Sequence, residues 1–446
     1  MQAAPFHKID RDSGNSVSSA LAFFEIPDTD VSLSHSSVVE CLTLNPVNIT
    51  PYHFKIHASS DYIDLSKCYV FTELRIRKEQ GGEMQNLIAA DDVSCCQLIG
   101  HTLWKNCRMS INGTQVFEGN DLMAYKSVMD YELTYPDTVK RSYLNVAGYY
   151  TDDENSQLAG DGYNARRGLL ALSRTAQFMA RLDVDPCNQP RYIVNQCEVD
   201  IELLPNSSQF VLLAPNAPQT PPDQVRRYHL EVISCKLYVK KAEVMDSLAL
   251  DISKRLELRP ARYPLRKTSL KALFISENRT EFTANLWSDQ VPKRVVLGLV
   301  SNESYVGTIG TSPFNFQHFD VRDISICANG RNYPQAPYSL DFPNGRFARA
   351  YHDMHEAIGY AGTMESNGIS VKRYAEGGQC FFVFNLTPSA ESSADTFDLI
   401  RKGTTSIRIS FNTPVPARGI VLIAMAEIDS LLMLDKNRSV ATDVQV

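Results

Sequence analysis

Hydrophobic and polar positions alternate with a period of two along much of this chain. That is the spacing of a strand with one face toward a core and the other toward water. Val199-Asp200-Ile201-Glu202-Leu203 and Ile407-Arg408-Ile409-Ser410-Phe411 follow it. Other runs are apolar throughout: Tyr69-Val70-Phe71, Val295-Val296-Leu297, Phe381-Phe382-Val383-Phe384 and Ile420-Val421-Leu422-Ile423. These predict strands covered on both faces, by a partner sheet and by a neighbouring module or subunit. Helical period is confined to two segments. Leu122, Tyr125, Met129 and Leu133 share one helix face, and so do Phe347, Tyr351, Met354 and Ile358. Each segment follows a strand ending in Asn-Gly, at Asn112-Gly113 and Asn329-Gly330. That dipeptide suits the positive φ angles of a tight hairpin turn.

The cues of one half return in the same order in the other, which predicts an internal duplication. Tyr69–Ile76 pairs with Arg294–Ser301, Asn112-Gly113 with Asn329-Gly330, and Leu122 with Phe347. Phe178–Val184 pairs with Phe381–Thr387, Ile201 with Ile409, Pro205 with Pro414, and Val211-Leu212 with Val421-Leu422. Short strands with one helix-bearing connection and long loops predict an all-β fold. It is built from two tandem jelly-roll sandwiches, a double jelly roll with short helices in the connections. We place an N-terminal arm at 1–35, the first jelly roll at 36–245 and the second at 246–446. The handover falls near Val244–Ser253, after the strand Leu230–Lys241. The long loop Thr134–Thr175, with its polar stretch Thr151–Gly162, is expected to reach over the outer surface or a neighbour. Pro215–Asp223 reads as a second surface loop.

A chain of 446 residues is too long for one ordinary core and suits two modules of roughly 200 residues each. A formal charge of −7, with basic runs only at Arg166-Arg167, Arg226-Arg227 and Lys240-Lys241, argues against specific nucleic-acid binding. Those runs read as solvated faces. Met1–Ala20 is mostly polar and lacks the apolar core of a signal peptide. The longest apolar run, Ile420–Ala426, is strand-sized, so synthesis in the cytosol without a membrane span is expected.

Candidate chemistry is sparse. The ten cysteines are scattered without the close pairs of a zinc site, and read as buried reduced thiols. His352-Asp353-Met354-His355-Glu356 sets two histidines three apart on a helix, not at the i, i+4 spacing of zinc proteases. The stripe Phe347/Tyr351/Met354/Ile358 explains that segment as a packing element. Asp152-Asp153-Glu154 lacks the alternating oxygen ligands of a calcium loop and reads as a solvated loop. Gly81-Gly82 and Gly377-Gly378 read as turn residues, and neither GxxxxGK[ST] nor Gly-x-Ser-x-Gly occurs. No catalytic, cofactor-binding or metal-binding residue is expected, and the chain is expected not to be an enzyme.

Asn285-Leu286-Trp287-Ser288-Asp289-Gln290-Val291-Pro292-Lys293-Arg294-Val295-Val296-Leu297-Gly298-Leu299-Val300 carries the strongest resemblance to a known family. Ser312-Pro313-Phe314-Asn315-Phe316 and the strand ending in Asn329-Gly330 continue it. In the first half, Tyr62-Ile63-Asp64-Leu65 and Ala165-Arg166-Arg167, before Phe178, match more loosely. From about Tyr52 to Ala426 the chain resembles the hexon-like major capsid protein of Maverick/Polinton-type elements and adintoviruses. The resemblance implies a homotrimer whose six similar lobes form a pseudo-hexameric capsomer. Trimer–trimer lattice contacts would then build an icosahedral virion capsid around a double-stranded DNA genome, with a minor capsid or penton protein as partner. The alternatives are a lectin-like tandem jelly-roll module, a cupin-type metal enzyme, and a domesticated capsid-derived host protein. The cupin reading needs a His-x-His strand that the chain lacks.

Overall fold

The computed structural model describes residues 8–10, 12–216, 227–387 and 397–442, so most of the Pro215–Asp223 loop and Arg226 lie outside the described residues. The first half contributes β1 (Leu33–Leu42), β2 (Tyr52–Ile56), β3 (Tyr62–Gln80), β4 (Glu83–Asn86), β5 (Ser94–Cys95) and β6 (Trp104–Ile111). It continues through β7 (Thr114–Glu118), β8 (Ala176–Arg181), β9 (Val199–Pro205), β10 (Leu212–Leu213) and β11 (Arg227–Val244). The second half contributes β12 (Ala261–Ile275), β13 (Glu281–Trp287), β14 (Arg294–Ser301), β15 (Val321–Ala328) and β16 (Arg331–Tyr333). Its remaining strands are β17 (Phe381–Asn385), β18 (Thr405–Phe411), β19 (Ile420–Leu434) and β20 (Val440–Thr442).

The duplication is visible in the strand order. One sheet of the first half runs β1-β11-β3-β4, with β8 also on β3, and the facing sheet runs β2-β9-β6-β7. The second half repeats this as β12-β19-β14-β17, with β20 on β19, and as β13-β18-β15-β16. The pairings are antiparallel throughout. The chain is therefore all-β, two jelly-roll sandwiches in tandem. In β3 buried and half-buried residues alternate, with Val70, Leu74 and Ile76 inside. One hydrophobic cluster runs through both sandwiches.

The predicted strand correspondences fall on equivalent strands with one exception, although Pro414 lies just past β18 whereas its partner Pro205 closes β9. β3 matches β14, β8 matches β17 and β9 matches β18. The two Asn-Gly turns close equivalent hairpins, with φ of 48° and 78° at Asn112 and Gly113, and 49° and 77° at Asn329 and Gly330. The exception is Val211-Leu212, which lies in the helical turn Ser208–Val211 and in β10. The counterpart of β19 is β11, whose alternating polar residues hide it from a search for apolar runs.

Helices fill the connections. α1 (Met123–Thr134) and α4 (Ala348–Ala357) are the two expected from their periodicity. Two more of at least 10 residues were not expected: α2 (Asp161–Leu170), inside the long loop, and α3 (Asp246–Leu258), directly after β11. Their stripes are thin, with only Leu256 buried in α3.

Candidate functional site

The most elaborate site in the molecule is the seam where the first sandwich meets the second. At its centre lies α1. Ten of its twelve residues are buried, whereas only Ala350, Met354 and Ala357 are buried in α4. The difference follows from position: α1 is enclosed by both sandwiches, while α4 packs on β17 of its own.

The apolar part of the seam is aromatic. Tyr125 of α1 stacks on Tyr305 at 5.8 Å between ring centroids and meets Phe314 and Phe316 edge-on at 5.4 and 6.2 Å. Such pairs each contribute about 0.5–1.5 kcal/mol beyond the area they bury. Beneath them runs the outer face of the sheet containing β14. The apolar runs Val295–Leu297, Phe381–Phe384 and Ile420–Ile423 are buried throughout, as a doubly covered sheet requires.

The matching run Tyr69–Phe71 behaves differently. Only Val70 is buried; Tyr69 and Phe71 are half-buried on the outer face, where Phe71 and Tyr238 meet edge-on at 6.3 Å. The double covering expected from the sequence is met within the chain for the second sandwich and not for the first.

Buried charges tie the seam together. Lys140, 1% exposed, donates to the Glu132 carbonyl at 2.7 Å, to Glu132 Oε2 at 2.9 Å and, across the seam, to the Asn367 carbonyl at 2.8 Å. Burial pushes its pKa below the ordinary lysine value, against the pull of Glu132. Tyr149 donates to the same carboxylate at 3.1 Å. Lys126 Nζ lies 2.8 Å from Asp130 and 2.9 Å from Asp183, and Asp185 Oδ2 accepts the Thr268 amide of β12 at 2.8 Å. These residues border a cleft of about 540 Å³ that also reaches Arg266 and Glu427.

One residue from each of two motifs read as solvated, Arg166 and Asp152, is built into the seam, while Asp153 and Glu154 stay exposed. Arg166 is fully buried and lies 2.7 Å from Asp152, and the Asp152 carbonyl accepts from Arg373 of the second sandwich at 2.7 Å. Burial raises the Asp152 carboxyl to about 6 despite Arg166. The long loop therefore folds against the second sandwich of its own chain, with Gln157 donating to the carbonyls of Phe314 and Gly378 at 3.1 and 3.3 Å. Gly377 is more than a turn residue: a Cβ there would lie 2.5 Å from the Glu154 carbonyl. Alternation and spacing cannot reveal such contacts, because they join loops far apart in the chain.

His352 and His355 are not brought together with a third ligand. His352 lies 3.5 Å from Glu356 on the exposed flank of α4, and His355 Nδ1 lies 3.0 Å from the Tyr351 carbonyl. Among the described residues no three His, Cys, Asp or Glu side chains gather as a metal site. All ten cysteines are free, and eight are buried. No helix among the described residues is long and apolar enough to cross a membrane.

No family model matches the chain. A relative from Caenorhabditis elegans, Uncharacterized protein F54H12.2, is 29% identical over 401 residues, covering 88% of this chain and 93% of its own. Among solved structures, one from the Sputnik virophage aligns with a TM-score of 0.65 at 12% identity, over 99% of this chain and 94% of the other. VP54 of PBCV-1 aligns at 0.61 and 10% identity, over 95% and 100%. The mavirus major capsid protein aligns at 0.55 and 11% identity, over 98% and 97%. These neighbours are double jelly-roll major capsid proteins, and this chain has their fold. At the level of the fold, the resemblance carried by Asn285–Val300 holds.

Proposed function

We propose that this chain is a major capsid protein. Three copies would form a pseudo-hexameric capsomer that tiles an icosahedral shell around double-stranded DNA. The observation that carries this reading is the unequal covering of two matching sheet faces. In the second sandwich Leu270, Met425 and Val296 stand side by side on the outer face and are 5%, 2% and 1% exposed. Their register-matched counterparts in the first are Leu42, Lys236 and Phe71, with Leu42 62% exposed. A second copy that lays its second sandwich on this open face repeats the internal seam. Three such steps close a ring of six similar lobes.

The composition of the open face supports the same reading. Val38 and Leu42 are exposed beside Phe71 and Tyr238, but Glu40 and Lys236 stand among them, paired at 3.1 Å. A surface that must stay soluble before assembly needs such charges. In the second sandwich α4, the counterpart of α1, leaves Arg349, His352 and Glu356 exposed, and on this reading it is the element that meets the open face of another copy.

On this reading 1–35 is an arm, 36–245 and 246–446 are the two lobes, and the division falls between β11 and α3. The role is structural rather than catalytic, uses no cofactor or specific nucleic-acid contact, and places the protein in the virion capsid with minor capsid proteins at its vertices. A capsid-derived host protein is a second reading, favoured by the relative in a nematode. Light scattering and negative-stain imaging of the expressed chain test both. Three chain masses with a hexagonal outline are expected, and a monomer at all concentrations would overturn the capsomer. Trimers that never enclose DNA in the source organism would favour the host reading.

A further inference from the structure

We propose that the N-terminal segment Leu21–Ile26 of one chain docks in an apolar groove beside α3 of a second copy. Leu21, Phe23, Phe24 and Ile26 are 60%, 74%, 97% and 88% exposed. A soluble protein rarely leaves such a contiguous apolar stretch open without a partner for it. The charges beside it are all acidic, Glu25, Asp28 and Asp30, with no lysine or arginine between Val17 and Ser32.

The groove has the complementary character. About 310 Å³ in volume, it opens between the two sandwiches where Leu248 and Ile252 of α3 face Tyr192 and Val194. Arg191 and Arg262 stand at its rim, and Arg191 donates to the Arg262 carbonyl at 2.7 Å. No carboxylate among the described residues lies within 4.0 Å of either guanidinium. An apolar segment flanked by acids thus fits an apolar groove flanked by arginines that pair with no described carboxylate. The chain's own arm lines the groove only at Ser32 and Leu33 and holds its Leu21–Ile26 side chains in solvent, so the groove stays open to the arm of another copy.

Docking of a second copy rests on the self-assembly proposed above, and one experiment separates the two. Full-length chain carrying photoreactive benzoylphenylalanine in place of Phe24 is mixed in light and heavy isotopic forms, irradiated and analysed by mass spectrometry. Mixed-isotope cross-links from residue 24 to peptides holding Tyr192–Val194 or Leu248–Ile252 are expected. Ile252→Glu, or Arg191→Glu with Arg262→Glu, should cut their yield by about ten-fold or more. The pair Phe23→Ser and Phe24→Ser should keep the trimer mass while losing larger particles. Cross-links confined to one isotope, which mean docking in the chain's own groove, overturn the proposal, as do cross-links to other surfaces. Trimers without the cross-link overturn this proposal alone; a chain that never associates overturns both.

Discussion

Met129 of the first sandwich and Gly298 of the second meet across the seam with no room between them. A Cβ added to Gly298 would lie 3.0 Å from Met129 Cε and 2.5 Å from Phe316 Cδ1. The glycine is required by this close approach, since its φ is not in the left-handed region. Gly298→Val should therefore destabilise the chain by about 1–3 kcal/mol through overpacking. Thermal unfolding checks this, and an unchanged midpoint would mean that the seam yields.

The same seam holds Lys140 and Glu132 as a buried pair. Removing one partner of such a pair leaves an uncompensated charge and costs about 3–5 kcal/mol. Lys140→Met should therefore be severe, while Lys140→Met combined with Glu132→Gln should be milder than Lys140→Met alone. Denaturant unfolding of the three variants gives the comparison. A double variant as unstable as the single one would mean that the lysine acts mainly through the Asn367 carbonyl.

The repeated series of strand cues along the chain, both Asn-Gly hairpins and both expected helices were legible in the sequence because each depends on local period or turn chemistry. What escaped depends on distance. Arg166 looks like any surface arginine until Asp152 is brought to it. The stretch Tyr69–Phe71 matches Val295–Leu297 in composition, yet only the second is covered by a neighbouring sandwich. The helix α3 was missed because its apolar residues, Leu248, Ile252 and Leu256, are diluted by charges on a mostly exposed surface. The capsid reading came from residue-level resemblance, whereas the seam that gives it a mechanism needed the three-dimensional arrangement.

Asp185 makes the seam sensitive to pH. It is 4% exposed, and among the described residues its Oδ1 has no hydrogen-bond partner. Burial raises its carboxyl from 3.8 to about 6, against the opposing pull of Lys126. A raised carboxyl favours the folded state while protonated. That contribution is full below pH about 4 and is lost as pH rises through about 6. Asp185→Asn, which stays neutral, should gain on the wild type by about 3 kcal/mol between those limits. Unfolding free energies of both proteins at several pH values provide the measurement. A constant difference would mean that the charge of Asp185 is compensated in the folded chain.

The open face of the first sandwich makes the most direct prediction about assembly. Leu42 projects from the edge strand β1, is 62% exposed, and pairs in register with Lys236 rather than with the core. Replacing it should therefore cost the isolated chain little, within about 0.5 kcal/mol, as for other surface positions. In the proposed trimer the same side chain would be covered as Leu270 is covered within the chain. Leu42→Asp would then bury a second carboxylate at each of three equivalent interfaces, where Lys236 opposite it is already paired with Glu40, with a penalty of several kcal/mol per site. The expected result is a monomer of unchanged melting temperature where the wild type is a trimer. Light scattering across a dilution series reads the change directly. A trimer that forms as readily with Leu42→Asp would place its contacts elsewhere on the molecule, and the register match between the two sandwiches would then have no role in closing the ring.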